Sequence, residues 1–162
     1  MRRMDRAITD DTEIAELLRQ ADICRIATSV DDQPFISANT FWYDGARIFF
    51  HTATEGRTLS NVRQNPRVCL EVDWRGRWLP AKTALAFSVE YTGVVVFGQA
   101  RLLEDAAEKE RALQGLLDKY FADLEPGLDY RPITQEELDQ TAVFSIEIEA
   151  WSAKRKAAPP SQ

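Results

Sequence analysis

The sequence contains one histidine, His51, and two cysteines, Cys24 and Cys69, in 162 residues. A single imidazole rules out a multi-histidine metal site and any mechanism that needs two of them. Two cysteines in separate apolar, β-rich segments are too few for a secreted disulfide framework and read as reduced, buried thiols. No CxxC pair, Walker loop, dinucleotide glycine fingerprint or nucleophile elbow is present. The start, Met1-Arg2-Arg3-Met4, runs into Asp10 and Asp11 without the apolar stretch of a secretory signal. No run approaches the length of a membrane span, so the expected compartment is the cytoplasm. Excess positive charge is also missing. Twenty Lys and Arg against twenty-six Asp and Glu leave a net charge of −6, a poor footprint for nucleic acid.

What is there is an ordinary globular balance, 44% hydrophobic and 28% charged, in a length that suits one domain over residues 1–156 with a flexible tail over 157–162. Asp10 to Glu13 opens a helix whose apolar stripe is Ile14, Leu17 and Leu18. Strands are expected over 23–29, 34–43, 47–52, 67–74, 88–103 and 142–151, with a tight turn at Asp31-Asp32 and a hairpin at Asp44-Gly45. Gly93 and Gly98 mark bends or bulges, and residues 75–87, with Gly76, Pro80 and three basic side chains, read as a loop. Helices are expected over 58–64, 106–121 and 134–138. Six strands at short spacing, without βαβ alternation, predict a mainly β fold with helices: a six-stranded antiparallel barrel.

Two segments carry candidate chemistry. In His51 to Thr58 an apolar strand passes through Gly56 into a helix, offering free backbone N–H groups, the Arg57 fork and the Thr52 and Thr58 hydroxyls to a phosphomonoester. The competing reading is a helix capped by Thr58 with Arg57 in solvent. In Ser37 to Thr40, small polar residues interrupt a strand flanked by Phe35 and Phe41-Trp42-Tyr43. That suits the approach of a flat ligand edge, or an edge strand with a polar face. Trp151 and Lys154, ahead of a basic tail, stand open between a lid and a solvated end.

The order Gln33-Pro34, Ile48-Phe49-Phe50-His51-Thr52-Ala53, Gly56-Arg57, Asn65-Pro66-Arg67-Val68-Cys69 and Tyr91 before Val94 to Gly98 resembles the pyridoxamine 5′-phosphate oxidase-like split barrels. The branch it looks closest to is the nitroimidazole-resistance group. The resemblance spans residues 7–156 and implies a Greek-key split barrel that binds FMN between two subunits of a homodimer. It implies that Arg57, Thr58 and Thr52 hold the phosphate, that Asn39, Thr40 and Phe41 face the isoalloxazine edge, and that His51 and Ala53 line the same cleft. Trp151 and Lys154 would reach the flavin region, and Tyr91 would come from the partner. The implied activity is a flavin-dependent oxidoreductase on a small organic molecule, with a nicotinamide as electron donor and His51 as a candidate proton donor. Deazaflavin or haem in the same barrel, or flavin binding without turnover, are the alternatives. Three positions depart from the group's pattern: Gly56-Arg57 stands for Gly-Lys, Thr92-Gly93 for Arg-Ser and Ala153-Lys154 for Gly-Lys. No second set of Arg and His is present for a substrate phosphate, so oxidation of pyridoxamine phosphate itself is not expected.

Overall fold

The computed structural model describes residues 4–158. Eight strands alternate with four helices: β1 (Ala7–Ile8), α1 (Asp11–Gln20), β2 (Cys24–Val30), β3 (Gln33–Asn39), β4 (Trp42–Tyr43), β5 (Arg47–Ala53), α2 (Arg57–Gln64), β6 (Arg67–Leu79), β7 (Ser88–Leu102), α3 (Ala106–Tyr120), α4 (Gln135–Asp139) and β8 (Thr141–Lys156). Six of the strands are long; β1 and β4 have two residues each. All pairings are antiparallel, in the order β3-β2-β6-β7-β8-β5-β4, with β1 added to β8. This is the split barrel. Its two sheet edges are β3 on one side and β5 with β4 on the other.

The sheet curls around a core of β-branched and aromatic residues, including Ile26, Ile48, Phe50, Leu70, Val72, Val94, Val96, Phe144 and Ile146. Outside the sheet, α3 covers a smaller cluster of Phe49, Leu103, Ala112 and Val143. Because β5 is covered on both faces, Ile48, Phe49 and Phe50 are buried in succession and the period-two signature of a strand is lost there. Gly115 lets α3 approach: a Cβ at this position would lie 2.4 Å from the Trp42 ring.

Three helix starts are closed by their own side chains. The Asp10 carboxylate accepts from the Thr12 N–H at 2.9 Å, Asp105 accepts from the Glu108 N–H at 2.8 Å, and Thr134 and Glu137 form a capping box. The Asp31-Asp32 turn holds both residues at positive φ, 51° and 57°, as a tight primed turn requires.

Several expectations need correcting. The segment 34–43 is not one strand, since the ladder stops at Asn39 and resumes at Trp42. Residues 75–79 are not loop: β6 runs on to Leu79, and the register shift between Arg75 and Trp78 absorbs the irregularity at Gly76. Of the two glycines expected to bend β7, only Gly98 does so. The register shifts between Phe97 and Gly98, and a Cβ at Gly98 would lie 2.2 Å from the Glu147 carbonyl oxygen. Residues 152–156 continue β8, because β7 offers them a partner as far as Tyr91↔Lys156. Of the expected tail, Ala158 donates its N–H to Glu90 at 2.8 Å, and residues 159–162 lie outside the described residues.

On the convex face, register lines up one apolar row across five strands: Ile36, Ala27, Cys69, Phe97 and Ala150. Ile36 is 64% exposed and Phe97 52%. Polar rows flank it, Arg25 paired with Glu71 and Asp73 on one side and Gln99 bonded to Glu149 on the other. Among the described residues no helix is long and apolar enough to cross a membrane.

Candidate functional site: an anion cradle at the split between two sheet edges

Strand β5 ends at Ala53, and three residues later Gly56, at φ 134°, turns the chain into α2. A side chain would be strained at that angle, so glycine is required here. Unlike the other three helices, α2 has no side-chain cap. Its first-turn N–H groups and the positive end of its dipole therefore face outward, a standing invitation to an anion.

What stands beside that helix start comes from β3. Alternation along β3 turns Phe35, Ser37 and Asn39 to the half-buried face and Ile36 and Ala38 outward. The Arg57 guanidinium lies over the Phe35 ring at 5.2 Å, which holds a long cation next to the helix start. The buried Thr58 hydroxyl donates to Ser37 Oγ at 3.3 Å, and the Asn39 amide donates to the same oxygen at 3.0 Å. A guanidinium, a helix start and a hydroxyl–amide chain thus meet between one sheet edge and the segment that leaves the other.

The arrangement is anchored from behind. Asn61, buried on α2, donates to the buried Thr28 hydroxyl at 2.8 Å, and the Asn65 amide donates to the Ser29 carbonyl at 2.8 Å. Both contacts fasten α2 to β2, the neighbour of β3.

The structure brings Arg57, Thr58 and Asn39 together, and adds Phe35 and Ser37. The signal for those two was the period-two spacing 35, 37, 39, visible in the sequence once the strand was recognised. Thr52 sits at the end of β5 with its hydroxyl donated to the Ala53 carbonyl at 2.9 Å, and Thr40 is exposed in the gap between β3 and β4. Phe41 does not open onto the cradle in its own chain. Its ring is fully buried beneath the Lys119 ammonium at 3.9 Å, its N–H donates to Tyr120 Oη at 3.0 Å, and its carbonyl accepts from Lys119 and Tyr120. Lys119 is held by the Ala21 and Phe41 carbonyls, and burial lowers its pKa to about 8.

His51 does not share a cavity with Thr52. One residue apart on a strand, their side chains leave opposite faces. His51 is on the face of Phe49, beneath α3, while Thr52 follows Ile48 and Phe50. The imidazole forms part of an open cavity of about 510 Å3 whose far wall is Leu113, Leu116 and Leu117 of α3. These apolar neighbours desolvate it and lower its pKa from the usual value.

Tyr91, Trp151 and Lys154 lie elsewhere in the same chain. Trp151 is nine residues beyond Ala142, which pairs with Thr52, so about 30 Å of strand separates them. The Trp151 indole packs on the core side, with its N–H donated to Asp11 at 2.7 Å. Lys154 pairs with Gly93 and Ala7, and Tyr91 with Arg75 and Lys156; an Arg6 nitrogen lies 3.5 Å from the Tyr91 hydroxyl. Among the described residues no cluster of His, Cys, Asp and Glu could hold a metal ion.

Solved structures share this architecture. The flavocytochrome Anf3 of Azotobacter vinelandii aligns with a TM-score of 0.84 at 24% identity, covering 100% of this chain and 74% of its own. An FAD and heme binding protein of Mycobacterium smegmatis gives 0.83 at 21% identity, covering 97% and 76%. A protein of Bacteroides thetaiotaomicron, provisionally assigned to 5-nitroimidazole antibiotic resistance, gives 0.78 at 19% identity, covering 92% and 86%. At these identities the likeness establishes the fold. Among curated proteins none matches the chain significantly. The family model described as pyridoxamine 5′-phosphate oxidase matches residues 10–155, nearly the whole of the split barrel, and the chain belongs to that family.

Proposed function

We propose that this protein binds FMN in a cleft between the two subunits of a homodimer and acts as a flavin-dependent oxidoreductase on a small organic molecule. The observation that carries the reading is the uncapped start of α2 with Arg57 stacked beside it and the Thr58–Ser37–Asn39 chain behind. A phosphomonoester dianion matches this donor set: the Arg57 guanidinium and the first N–H groups of α2 would hold its oxygens. Asn39, bonded to Ser37 in that chain, and Thr40, exposed in the gap after β3, are the polar groups we assign to the ring edge. Bound flavin would supply the two-electron chemistry, while the chain binds and orients it. The family and solved structures of the same fold named for FAD support a flavin; the choice of FMN rests on the phosphomonoester match of the cradle.

The second subunit is argued from the convex face. A row of Ile36, Ala27, Cys69, Phe97 and Ala150, with polar rows either side, is the pattern of an interface core and rim. Lys154 lies on that same convex face, which is how a partner's lysine would come near a cleft it does not reach in its own chain.

The first test is the visible spectrum of the purified protein, with mass spectrometry of any released chromophore. The expected result is an oxidised-flavin spectrum and FMN. Losing a charged bidentate contact costs about 1.5–3 kcal/mol, so Arg57→Ala should weaken FMN roughly 10- to 150-fold, and Arg57→Lys less. Reduction by a nicotinamide and reoxidation by a substrate would establish turnover. Released FAD would correct the cofactor and leave the fold. A second reading, haem, is favoured by the apolar wall opposite His51 and by the two relatives named for haem; a Soret band would decide for it. A colourless protein that takes up neither group would overturn the proposal.

A further inference from the structure

The cavity beside His51 has a composition that the anion cradle does not share. Its far wall is three leucines from α3, and Tyr130 and Ile133 close one side from the segment between α3 and α4. The charged residues at its mouth, Arg131 and Glu137, pair with each other. Arg131 donates to Glu137 at 2.9 Å, and the Glu137 carboxylate also accepts from the Thr134 N–H at 2.8 Å and the Thr134 hydroxyl at 3.0 Å. Tyr130 Oη accepts from the Gln114 amide at 2.8 Å, which ties the segment to α3. The two charges are thus paired with each other at the mouth, and the wall facing the leucines offers one aromatic base whose neutral form is favoured by its surroundings.

A space of about 510 Å3 is within the range of small-molecule sites, roughly 300–1,000 Å3. Apolar walls give such a site its affinity, and a few polar groups fix orientation. An ion would lose hydration against the leucine wall and, to be paired, would have to compete for Arg131 or Glu137, which already bond to each other at the mouth. We propose that this cavity is a binding site for an uncharged, largely apolar ring compound, held by a hydrogen bond to His51. Selection is by exclusion of charge as much as by fit. None of its walls belongs to the cradle at α2, so the proposal does not depend on the flavin reading.

His51 is the only histidine in the chain, so its imidazole protons give a single, unambiguous set of NMR signals. The probe pair is 2-naphthol, uncharged at neutral pH, and 2-naphthoate, of the same shape but anionic. The expected result is a saturable shift of the His51 signals with 2-naphthol and at least tenfold weaker binding of the naphthoate. Filling the cavity by Leu117→Trp, a half-exposed position, should abolish binding while the protein remains folded. His51→Gln, followed by calorimetry, should keep the shape of the cavity and weaken 2-naphthol roughly three- to tenfold. Equal or tighter binding of the naphthoate would overturn the proposal, as would binding that survives Leu117→Trp. A haem Soret band assigned to His51 ligation would also overturn it, by giving the imidazole to iron. The visible spectrum of the same sample separates the two readings. A colourless protein that binds 2-naphthol keeps this site and loses the flavin; a yellow one with unmoved His51 signals does the reverse.

Discussion

The contact between Asn61 and Thr28 fixes α2, and with it the cradle, at a cost that can be worked out. Both side chains are buried, at 6% and 3% exposure, and the amide donates to the hydroxyl at 2.8 Å. Asn61→Ala removes the bond and leaves the Thr28 oxygen without its donor. A typical hydrogen bond contributes about 0.5–1.5 kcal/mol and a stranded buried polar group costs about 1–3 kcal/mol, so the variant should lose roughly 2–3 kcal/mol. Thr28→Val strands the Asn61 amide instead and should lose about 1–3 kcal/mol for the same reason. In the double variant neither group is stranded by the other's loss. Its destabilisation should therefore fall short of the sum of the singles by about 1–2 kcal/mol, the coupling expected of a direct buried contact. Urea denaturation of the four proteins measures this, provided the m-values agree. The melting temperature of Asn61→Ala should drop by about 4–12 °C on the size scaling for such a chain. Because Asn61 does not touch the anion position, weakened FMN retention in this variant would report displacement of α2. Additivity within about 0.3–0.5 kcal/mol would refute the argument that this bond holds α2 to β2.

Gly98→Ala forces a Cβ against the Glu147 carbonyl and should destabilise by more than about 2 kcal/mol. Gly93→Ala, where the nearest atom would be 3.6 Å away, should be tolerated in the same melting assay. The His51 imidazole should titrate below its usual midpoint of 6.5 in a proton NMR titration. Since its folded pKa is lowered, the unfolded chain binds the proton more readily, and stability should fall as pH drops through 6.5 and level off below the folded pKa. His51→Gln should flatten that part of the pH–stability curve, and an unchanged slope would sink the assignment. If the proposed homodimer forms through the convex row, the wild-type chain should sediment as a dimer and Phe97→Asp as a monomer, while a dimer that persists in the variant would move the interface elsewhere.

The order of elements was legible because most boundaries are written in local chemistry: Asp10, Asp105 and Thr134 at helix starts, Asp31-Asp32 and Gly45 in turns. Legibility failed where long-range pairing overrides composition. Residues 75–79 look like a loop and 154–156 like the start of a charged tail, yet each is strand because β7 runs alongside and supplies the hydrogen bonds. The cradle was half legible. Gly56-Arg57-Thr58 announces an anion site, but Phe35 and Ser37 enter it only through the fold. His51 and Phe41 lie away from the cradle for reasons that only the fold supplies: β5 turns His51 to the face opposite Thr52, and Lys119 and Tyr120 of α3 enclose Phe41.

The strand order leaves a seam, since β3 and the β5–β4 pair stand at opposite ends of the hydrogen-bonded path. Across it the chain offers side-chain contacts, Thr58 to Ser37 and Arg57 over Phe35, but no rung of the ladder. An anion seated there would act as a stitch, bonded at once to the helix that leaves one lip and to the strand that forms the other. Breathing of the barrel should then be governed by occupancy. Amides of β3 and of the last residues of β5 should exchange with solvent fastest when the stitch is out, and protection should spread outward from the seam as it is filled.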